Sequence, residues 1–162
     1  MFVLERLRPE HEAAILEFEV ENRAYFAETI SDRADYFYEH FAELYRTLLA
    51  EQAAGMSFGH VLVDDDGAVV GRFNLYEVAD GRAEAGYRVA RHVSGRGVAT
   101  LGLTSMCALA RDDYGLRVLS ATTSTANVAS QRVLAKAGFV VVGAADVAGK
   151  KGLRYELELG GL

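Results

Sequence analysis

Two glycines at a predicted strand-to-helix junction constrain the fold of this chain more than any other feature of its sequence. Gly95 and Gly97 follow a strand-like segment and come directly before a helical apolar period that begins at Val98. A helix N-terminus leaves backbone N–H groups unpaired and partially positive, and glycines let a phosphate approach those groups closely. Arg91 and Arg96 can add charge-assisted hydrogen bonds. The segment therefore predicts a diphosphate site, although a tight β-to-α turn without a ligand has the same spacing.

The glycine spacing does not identify the diphosphate. The segment lacks the Gly-Lys-Ser/Thr ending of a P-loop. Gly95 and Gly97 match two glycines of the dinucleotide-binding fingerprint, but Thr100 stands where that fingerprint has its third glycine. Spacing alone therefore leaves the ligand open.

Apolar periodicity predicts an α/β (α+β) fold, in which helices cover one mixed, mostly antiparallel sheet of about seven strands. The short turns at Asp65-Asp66-Gly67 and Asp80-Gly81 predict an antiparallel meander in the middle of the chain. The predicted strands cover residues 2–7, 61–63, 68–76, 83–89, 118–123, 139–143 and 154–159, and four helices begin near residues 10, 32, 98 and 127. The order is β-α-α-β-β-β-α-β-α-β-β, and the crossover between residues 89 and 118 predicts one parallel pair of strands.

The composition limits the class of protein and its partners. The chain has 162 residues, of which 51% are apolar and 25% charged, and this predicts a single folded domain spanning residues 1–162. With 23 acidic and 17 basic residues, the net charge is −6, which disfavours binding of nucleic acid through charge.

The cysteine and histidine content predicts a protein without a metal site. Cys107 is the single cysteine, which excludes an internal disulfide, and the four histidines lack metal-ligand spacing. No apolar run reaches the roughly 20 residues of a membrane helix, and the N-terminus does not resemble a secretory signal. We therefore expect a reduced, cytoplasmic location.

The glycine segment and a second motif together resemble the GNAT N-acetyltransferase family. Residues 94–99 are similar to motif A, Gln/Arg-x-x-Gly-x-Gly/Ala, with Gly97 in the fourth place and Ala99 in the sixth. Residues 127–139 resemble motif B, which begins Asn-x-x-Ser and ends Lys-x-Gly-Phe. The predicted strand order also matches the family fold over nearly the whole chain. Residues 21–26 are most similar to the RimJ/RimL-like ribosomal-protein-alanine acetyltransferase branch.

This resemblance implies acetyl-CoA as the donor, bound where the fourth strand and the strand after the motif A helix diverge. In the family, pantetheine lies in that gap and pairs like an additional strand, while motif A N–H groups hold the pyrophosphate. The implied contacts are Tyr87, Val89, Arg91 and Asn127 for pantetheine and Ser94, Gly95, Arg96, Gly97, Val98, Ala99 and Thr100 for the diphosphate. Ser94 departs from the family's Gln/Arg, and we expect Arg91 and Arg96 to supply the missing contact.

Glu84 is the candidate catalytic base that the resemblance suggests. Amide formation from a thioester needs a neutral amine, and an alkyl amine is mostly protonated at neutral pH. Glu84 lies on the strand that leads to the gap, on the same face as Gly86 and Arg88, and would act through water. The alternative is a solvated carboxylate or a pair with Arg88. A backbone N–H near Val89 would stabilise the negative oxygen that develops during attack.

Ser130 is the candidate hydrogen-bond donor to the departing thiolate. Many relatives have a tyrosine on the motif B helix, but the matching residue here is Ala135. The RimL-like branch suggests Ser130, whose hydroxyl can donate to a thiolate. The alternative for Ser130 is a helix cap.

The sequence thus predicts an acetyl-CoA-dependent N-acetyltransferase that acts on a primary amine. The resemblance favours the α-amine of a protein N-terminus, such as that of a ribosomal protein, and the net charge of −6 suits a basic acceptor. Two alternatives are a small-molecule amine acetyltransferase (for an aminoglycoside, a polyamine or an amino acid) and a non-catalytic acyl-CoA-binding module. We expect a monomer or homodimer without nucleic-acid or membrane partners.

Overall fold

The computed structural model describes residues 1–160 and arranges them as a seven-stranded sheet with helices on both faces. The strands are β1 (Val3–Arg6), β2 (Phe58–Val63), β3 (Val69–Ala79), β4 (Arg82–Val89), β5 (Val118–Ser124), β6 (Val140–Val147) and β7 (Lys150–Glu158). The α-helices are α1 (Glu12–Glu21), α2 (Arg23–Ala27), α3 (Ala34–Glu39), α4 (Phe41–Ala53), α5 (Val98–Asp112) and α6 (Val128–Lys136). Gly161 and Leu162, the end of the predicted domain 1–162, lie outside the described residues.

The sheet has the strand order β1-β2-β3-β4-β5-β7-β6. Strands β4 and β5 are parallel, and each of the other neighbouring pairs is antiparallel. The predicted fold class, the seven strands and the single parallel pair are therefore confirmed.

The N-terminal helices differ from the prediction. Each of the two predicted helices is divided, so that six α-helices rather than four accompany the sheet in residues 1–160. The first division lies at Asn22, whose Nδ2 donates to the Phe18 carbonyl at 2.9 Å and competes with the helical backbone bonds. The second lies at His40, where the backbone leaves helical geometry with φ −114° and ψ 21°. The apolar stripe continues from Phe37 to Phe41 across this break, so periodicity alone does not show it.

Strands β3 and β4 carry aromatic side chains on one face and arginines on the other. The Phe73 ring stacks on Tyr87 and occupies the space that a side chain at Gly102 of α5 would need. Arg72 and Arg88, the neighbouring residues, instead bond to α1. Because successive side chains of a strand point to opposite faces, α5 and α1 lie on opposite sides of the sheet.

Strands β4 and β5 separate partway along β4. Their pairing covers only residues 82–84 and 118–120, whereas β4 stays paired with β3 up to Val89. The Ala90 N–H donates to the Val70 carbonyl on β3 at 2.8 Å. In antiparallel pairs, residues that bond to the partner alternate with residues whose backbone groups face the other edge. The N–H and C=O groups of Tyr87 and Val89 therefore face the gap that β5 leaves open.

Candidate active site

A cavity of about 900 Å³ occupies the gap between β4 and β5. One part of its lining, named here the glycine wall, consists of residues 94, 95 and 97–100 together with residues from the segment 127–136 at α6. Another part, named here the α2 wall, consists of residues 25–32, which form the end of α2 and the segment that follows it. Residues 85–89 of β4 and residues 121–124 of β5 complete the lining together with the turn between β6 and β7. Both diverging strands and the start of α5 thus border one space.

Gly95 and Gly97 hold left-handed backbone conformations in the glycine wall, with φ of +76° and +77°. No atom lies within 4 Å of a Cβ placed on either glycine, so both positions are open. Helix α5 begins at Val98, and the Leu101 N–H bonds back to the Gly97 carbonyl at 3.0 Å. The first three N–H groups of the helix have no partner within it. This arrangement can hold an anionic group.

The two arginines that were expected to support this loop do not line the cavity. The Arg91 N–H donates to the Asn22 side chain at 3.0 Å, and its guanidinium lies 5.8 Å from the centre of the Tyr25 ring. Arg96 is exposed. Ser94 donates its hydroxyl to the Arg91 carbonyl at 2.7 Å. Ser94 therefore closes the turn that precedes the glycines.

Basic side chains that the sequence analysis did not select line the cavity instead. They are Arg132 and Lys136 of α6 and Lys150 at the start of β7. Arg132 and Lys136 lie four residues apart and so share one helix face, and that spacing is a signal that sequence reasoning missed. Lys150 reaches the cavity only because the β6–β7 turn folds toward it, which no local pattern indicates.

Two hydroxyl groups meet inside the cavity. Tyr87 Oη and Ser130 Oγ share a hydrogen bond of 3.1 Å, and the Tyr87 ring is fixed by stacking on Phe73 at 5.7 Å between ring centres. Burial raises the pKa of Tyr87 more than the hydrogen bond to Ser130 lowers it, so the phenol is protonated at neutral pH. Asn127 Oδ1 accepts from the Ser130 N–H at 3.2 Å. Asn127 is therefore the cap of α6, and the Ser130 hydroxyl faces the cavity.

Glu84 lies where β4 and β5 begin to separate, but it borders a smaller depression beside the main cavity. Two further carboxylates, Glu51 and Glu77, border the same depression. The Tyr76 ring covers Gly86, since a Cβ there would lie 3.1 Å from a ring carbon. On this face of β4, Tyr76 therefore stands next to Glu84, between it and the main cavity.

Three arginines surround one buried carboxylate beside the cavity. Glu19 is fully buried and accepts from Arg72 Nη1 at 2.8 Å, from Arg88 Nη1 at 3.0 Å and from Arg33 Nε at 3.2 Å. Burial alone would raise the pKa of Glu19, but the charges of Arg72, Arg33 and Arg88 together hold it below its ordinary value. Arg88 thus pairs with Glu19 and not with Glu84. No sequence pattern indicates this cluster, because its partners lie 14, 53 and 69 residues from Glu19.

An ion pair joins the first residue of α2 to the last residue of the α2 wall. Arg23 Nη2 lies 2.8 Å from Asp32 Oδ2, and Arg23 Nε lies 3.0 Å from Asp32 Oδ1. The hydrogen bond from Arg23 lowers the pKa of Asp32 to about 2. Of the described residues, only Glu28 and Asp32 bring carboxylates to the cavity. Since Asp32 is already paired, Glu28 is the carboxylate left for a cationic ligand.

Neither a metal centre nor a membrane helix emerges from the described part of the chain. Within residues 1–160, no group of three or more histidine, cysteine or carboxylate side chains is arranged so that it could hold a metal ion, and no helix is both long and apolar enough to cross a bilayer. Cys107 is buried in α5, and burial raises its pKa to about 11.

Comparisons with known proteins agree with this geometry. A family model that describes an acetyltransferase (GNAT) domain matches residues 2–140. No curated protein sequence matches the chain.

Several solved structures share the fold. The ribosomal-protein-S5-alanine acetyltransferase from Vibrio fischeri superposes with a TM-score of 0.91 at 18% identity, covering 98% of this chain and 93% of that chain. RimJ from Mycobacterium smegmatis, solved with CoA-disulfide, has a TM-score of 0.85 at 23% identity and covers 97% and 81%. Spermidine N-acetyltransferase from Vibrio cholerae, solved with CoA and spermine, has a TM-score of 0.79 at 16% identity and covers 98% and 95%.

Proposed function

This chain belongs to the acetyltransferase (GNAT) domain family and is an N-acetyltransferase, and we propose that it transfers the acetyl group of acetyl-CoA to the α-amine of a protein N-terminus. The observation that carries the proposal is the single cavity in which diverging strands β4 and β5 meet the open glycine loop at the start of α5. A cytoplasmic location is part of the same proposal.

The residues of the glycine wall suit a CoA donor. The unpaired N–H groups at residues 98–100 and the open positions at Gly95 and Gly97 offer a seat for the diphosphate. The outward backbone groups of Tyr87 and Val89 can pair with the amides of the pantetheine arm, with Asn127 nearby. Arg132, Lys136 and Lys150 add positive charge for the phosphates. Arg91 acts indirectly, because its N–H bonds to the Asn22 side chain and fixes the start of the loop, whereas the exposed Arg96 is given no role.

The proposed chemistry divides between backbone and side chains. When bound, acetyl-CoA supplies the activated thioester. The Val89 N–H is placed to donate to its carbonyl oxygen. Ser130, supported by Tyr87, donates toward the sulfur. Glu84, at the point where β4 and β5 separate, is the proposed base, and because Tyr76 stands between it and the main cavity it would remove the amine proton through water and not by direct contact.

The charge of the cavity lining favours an α-amine over a polyamine. Next to the α2 wall, Arg88 lines the cavity, whereas Glu28 is the described lining carboxylate without a strong cationic partner. A polyamine carries several ammonium groups, and each needs a nearby negative group once it leaves water. The solved spermidine N-acetyltransferase shows that this fold also serves polyamines, so spermidine is the second acceptor to test.

Calorimetric titration with acetyl-CoA, with ATP and NAD as controls, tests the donor. We expect saturable binding of acetyl-CoA alone. Mass spectrometry then compares acetylation of an N-terminal alanyl peptide, spermidine and an aminoglycoside. Absence of acetyl-CoA binding, or acetylation of spermidine in preference to the peptide, would contradict the proposal.

Glu84→Gln tests the base. We expect acetyl-CoA affinity to stay unchanged and kcat to fall by about 100-fold or more, the usual contribution of a general base. Glu51→Gln, in the same depression, is the control and should keep kcat. An unchanged kcat in Glu84→Gln would exclude Glu84 as the base.

A further inference from the structure

Arg88 lies next to the reacting position, on the face of the sheet opposite the glycine wall. It follows Tyr87 directly in β4, and strand alternation turns its side chain toward α1 and the α2 wall. It lines the same cavity, together with Tyr25 and Phe26. An acceptor that lies between the α2 wall and the gap can therefore contact Arg88.

One edge of the Arg88 guanidinium is fixed and the other is open. Nη1 donates to Glu19 at 3.0 Å, and the guanidinium carbon lies 4.7 Å from the centre of the Phe26 ring. The side chain is 15% exposed. Within residues 1–160, Arg88 Nε and Nη2 bond to no protein atom, and neither is sealed from solvent. Because Arg88 lines the cavity, these two donors are available to a ligand bound there.

The surroundings of Arg88 carry a surplus of positive charge. Arg33, Arg72 and Arg88 share the single carboxylate of Glu19. Arg33 is partly solvated, but Arg72 and Arg88 are mostly buried, where water cannot fully screen them. This environment attracts a partially or fully negative oxygen and repels a second ammonium group.

We propose that Arg88 binds an oxygen on the carbon next to the acceptor's amine-bearing carbon, so that the enzyme selects α-amino acyl acceptors. That oxygen is the first carbonyl of a peptide or the carboxylate of a free amino acid. An alkyl amine or a polyamine has no such oxygen. The inference rests on the proposed function and specifies which amines it serves.

The test measures kcat/KM for matched acceptors with wild-type protein and Arg88→Met. The acceptors are an alanyl tripeptide amide, free alanine, isopropylamine and spermidine. We expect Arg88→Met to lower kcat/KM about 30-fold for the acyl acceptor that the wild type prefers, the range for hydrogen bonds to a charged group. For isopropylamine the change in kcat/KM should stay below about twofold, because this amine has no oxygen to which Arg88 could donate. Comparing each acceptor with itself removes differences in amine pKa.

Two further variants separate recognition from structure. Arg88→Lys keeps the charge without the planar fork and should recover only part of the loss. Arg33→Met also removes a Glu19 partner, but Arg33 does not line the cavity, so the ratio between acyl and alkyl acceptors should stay at its wild-type value. Acetyl-CoA affinity and the thermal midpoint are measured for each variant to confirm that it is folded.

The outcomes distinguish the inference from the function on which it rests. If wild type acetylates none of the amines, the proposed function fails and the inference fails with it. If wild type acetylates isopropylamine or spermidine with the same efficiency as alanyl acceptors, the protein is still an acetyltransferase but the inference is overturned. An equal loss for acyl and alkyl acceptors in Arg88→Met likewise overturns it. Preference for the tripeptide amide over free alanine identifies the oxygen as a peptide carbonyl, and the reverse identifies a carboxylate.

Discussion

The glycine wall and the α2 wall border one cavity, but they are built differently. The glycine wall presents backbone N–H groups from neighbouring residues. A ligand can reach these groups because Gly95 and Gly97, with φ of +76° and +77°, carry no side chains. The opposite side of the cavity, where Arg88 lies next to the α2 wall, depends on side chains, because Arg88 is held by Glu19 from 69 residues away. A backbone site follows a short sequence pattern and tolerates many side-chain changes. A side-chain site depends on tertiary contacts and is sensitive to single substitutions.

This difference predicts that the two walls can be damaged separately. Changes in the glycine loop should abolish donor binding with a modest loss of stability. Changes in the Glu19 cluster should lower stability and alter acceptor use while the donor still binds.

Replacing the buried carboxylate should have the largest effect. Glu19→Gln keeps the shape of the side chain but removes the charge shared by Arg72, Arg88 and Arg33. Removing one partner of a buried ion pair costs about 3–5 kcal/mol. We expect the free energy of unfolding, measured by urea denaturation at neutral pH, to fall by that amount. Acetyl-CoA should bind the folded fraction with unchanged affinity.

Glu21→Gln, an exposed change at the end of the same helix, is the control and should cost less than about 0.5 kcal/mol. The pKa of Glu19 is lowered in the folded protein, so its contribution is present above the ordinary value of 4.5 and is lost as the pH falls below it. Acid denaturation of Glu19→Gln should therefore be less steep than that of wild type. Equal stability of the two glutamine variants would show that the cluster does not anchor the α2 wall.

The same contrast, between a backbone site and a side-chain site, explains which features could be predicted from the sequence. The seven strands, their order along the chain and the glycine loop follow from local periods of two or 3.6 residues and from turn residues, all of which are short-range signals. The breaks at Asn22 and His40 were missed because the apolar stripe continues across them. The side chain of Asn22 instead bonds to Phe18 and to the backbone of Arg91.

The side-chain contacts of the site were harder to predict. The pairing of Tyr87 with Ser130 joins residues 43 positions apart, and Arg72 and Arg88 lie 53 and 69 positions from Glu19. The separation of Glu84 from the main cavity depends on Tyr76 lying over Gly86, a contact between two strands that strand alternation does not reveal. The placement of Arg91 and Arg96 away from the cavity likewise depends on loop geometry.

Breaking the glycine wall should have the next largest effect. Gly97→Glu places a side chain and a negative charge in the open loop, where the diphosphate is proposed to bind. We expect the dissociation constant for acetyl-CoA, measured by calorimetry, to rise by at least about 100-fold. The positive φ should also cost about 1–2 kcal/mol of stability.

Gly115→Glu is the matched control for that strain. Gly115 also has a left-handed backbone, with φ of +66°, and open space around it, but it lies after α5 and away from the cavity lining. It should lose similar stability and keep its affinity for acetyl-CoA. Parallel loss of affinity in both variants would mean that backbone strain, and not the proposed cradle, explains the effect.

The smallest effect is expected at Tyr87 and Ser130, where β4 meets the glycine wall. Tyr87→Phe keeps the stacking on Phe73 and removes only the hydroxyl, and Ser130→Ala removes its partner. Each should lower kcat about tenfold, the value of one hydrogen bond of about 1.4 kcal/mol in the transition state, and leave acetyl-CoA affinity unchanged.

Because the two hydroxyls act as one unit, the double variant should be about as slow as either single variant. Tyr114→Phe is the control, since its hydroxyl bonds to buried His60 at 2.6 Å outside the cavity lining, so that its loss should lower stability but not kcat. Losses that multiply in the double variant would show that Tyr87 and Ser130 work independently. Ser130 would then donate without support from Tyr87, and the hydrogen bond between β4 and α6 would contribute to packing alone.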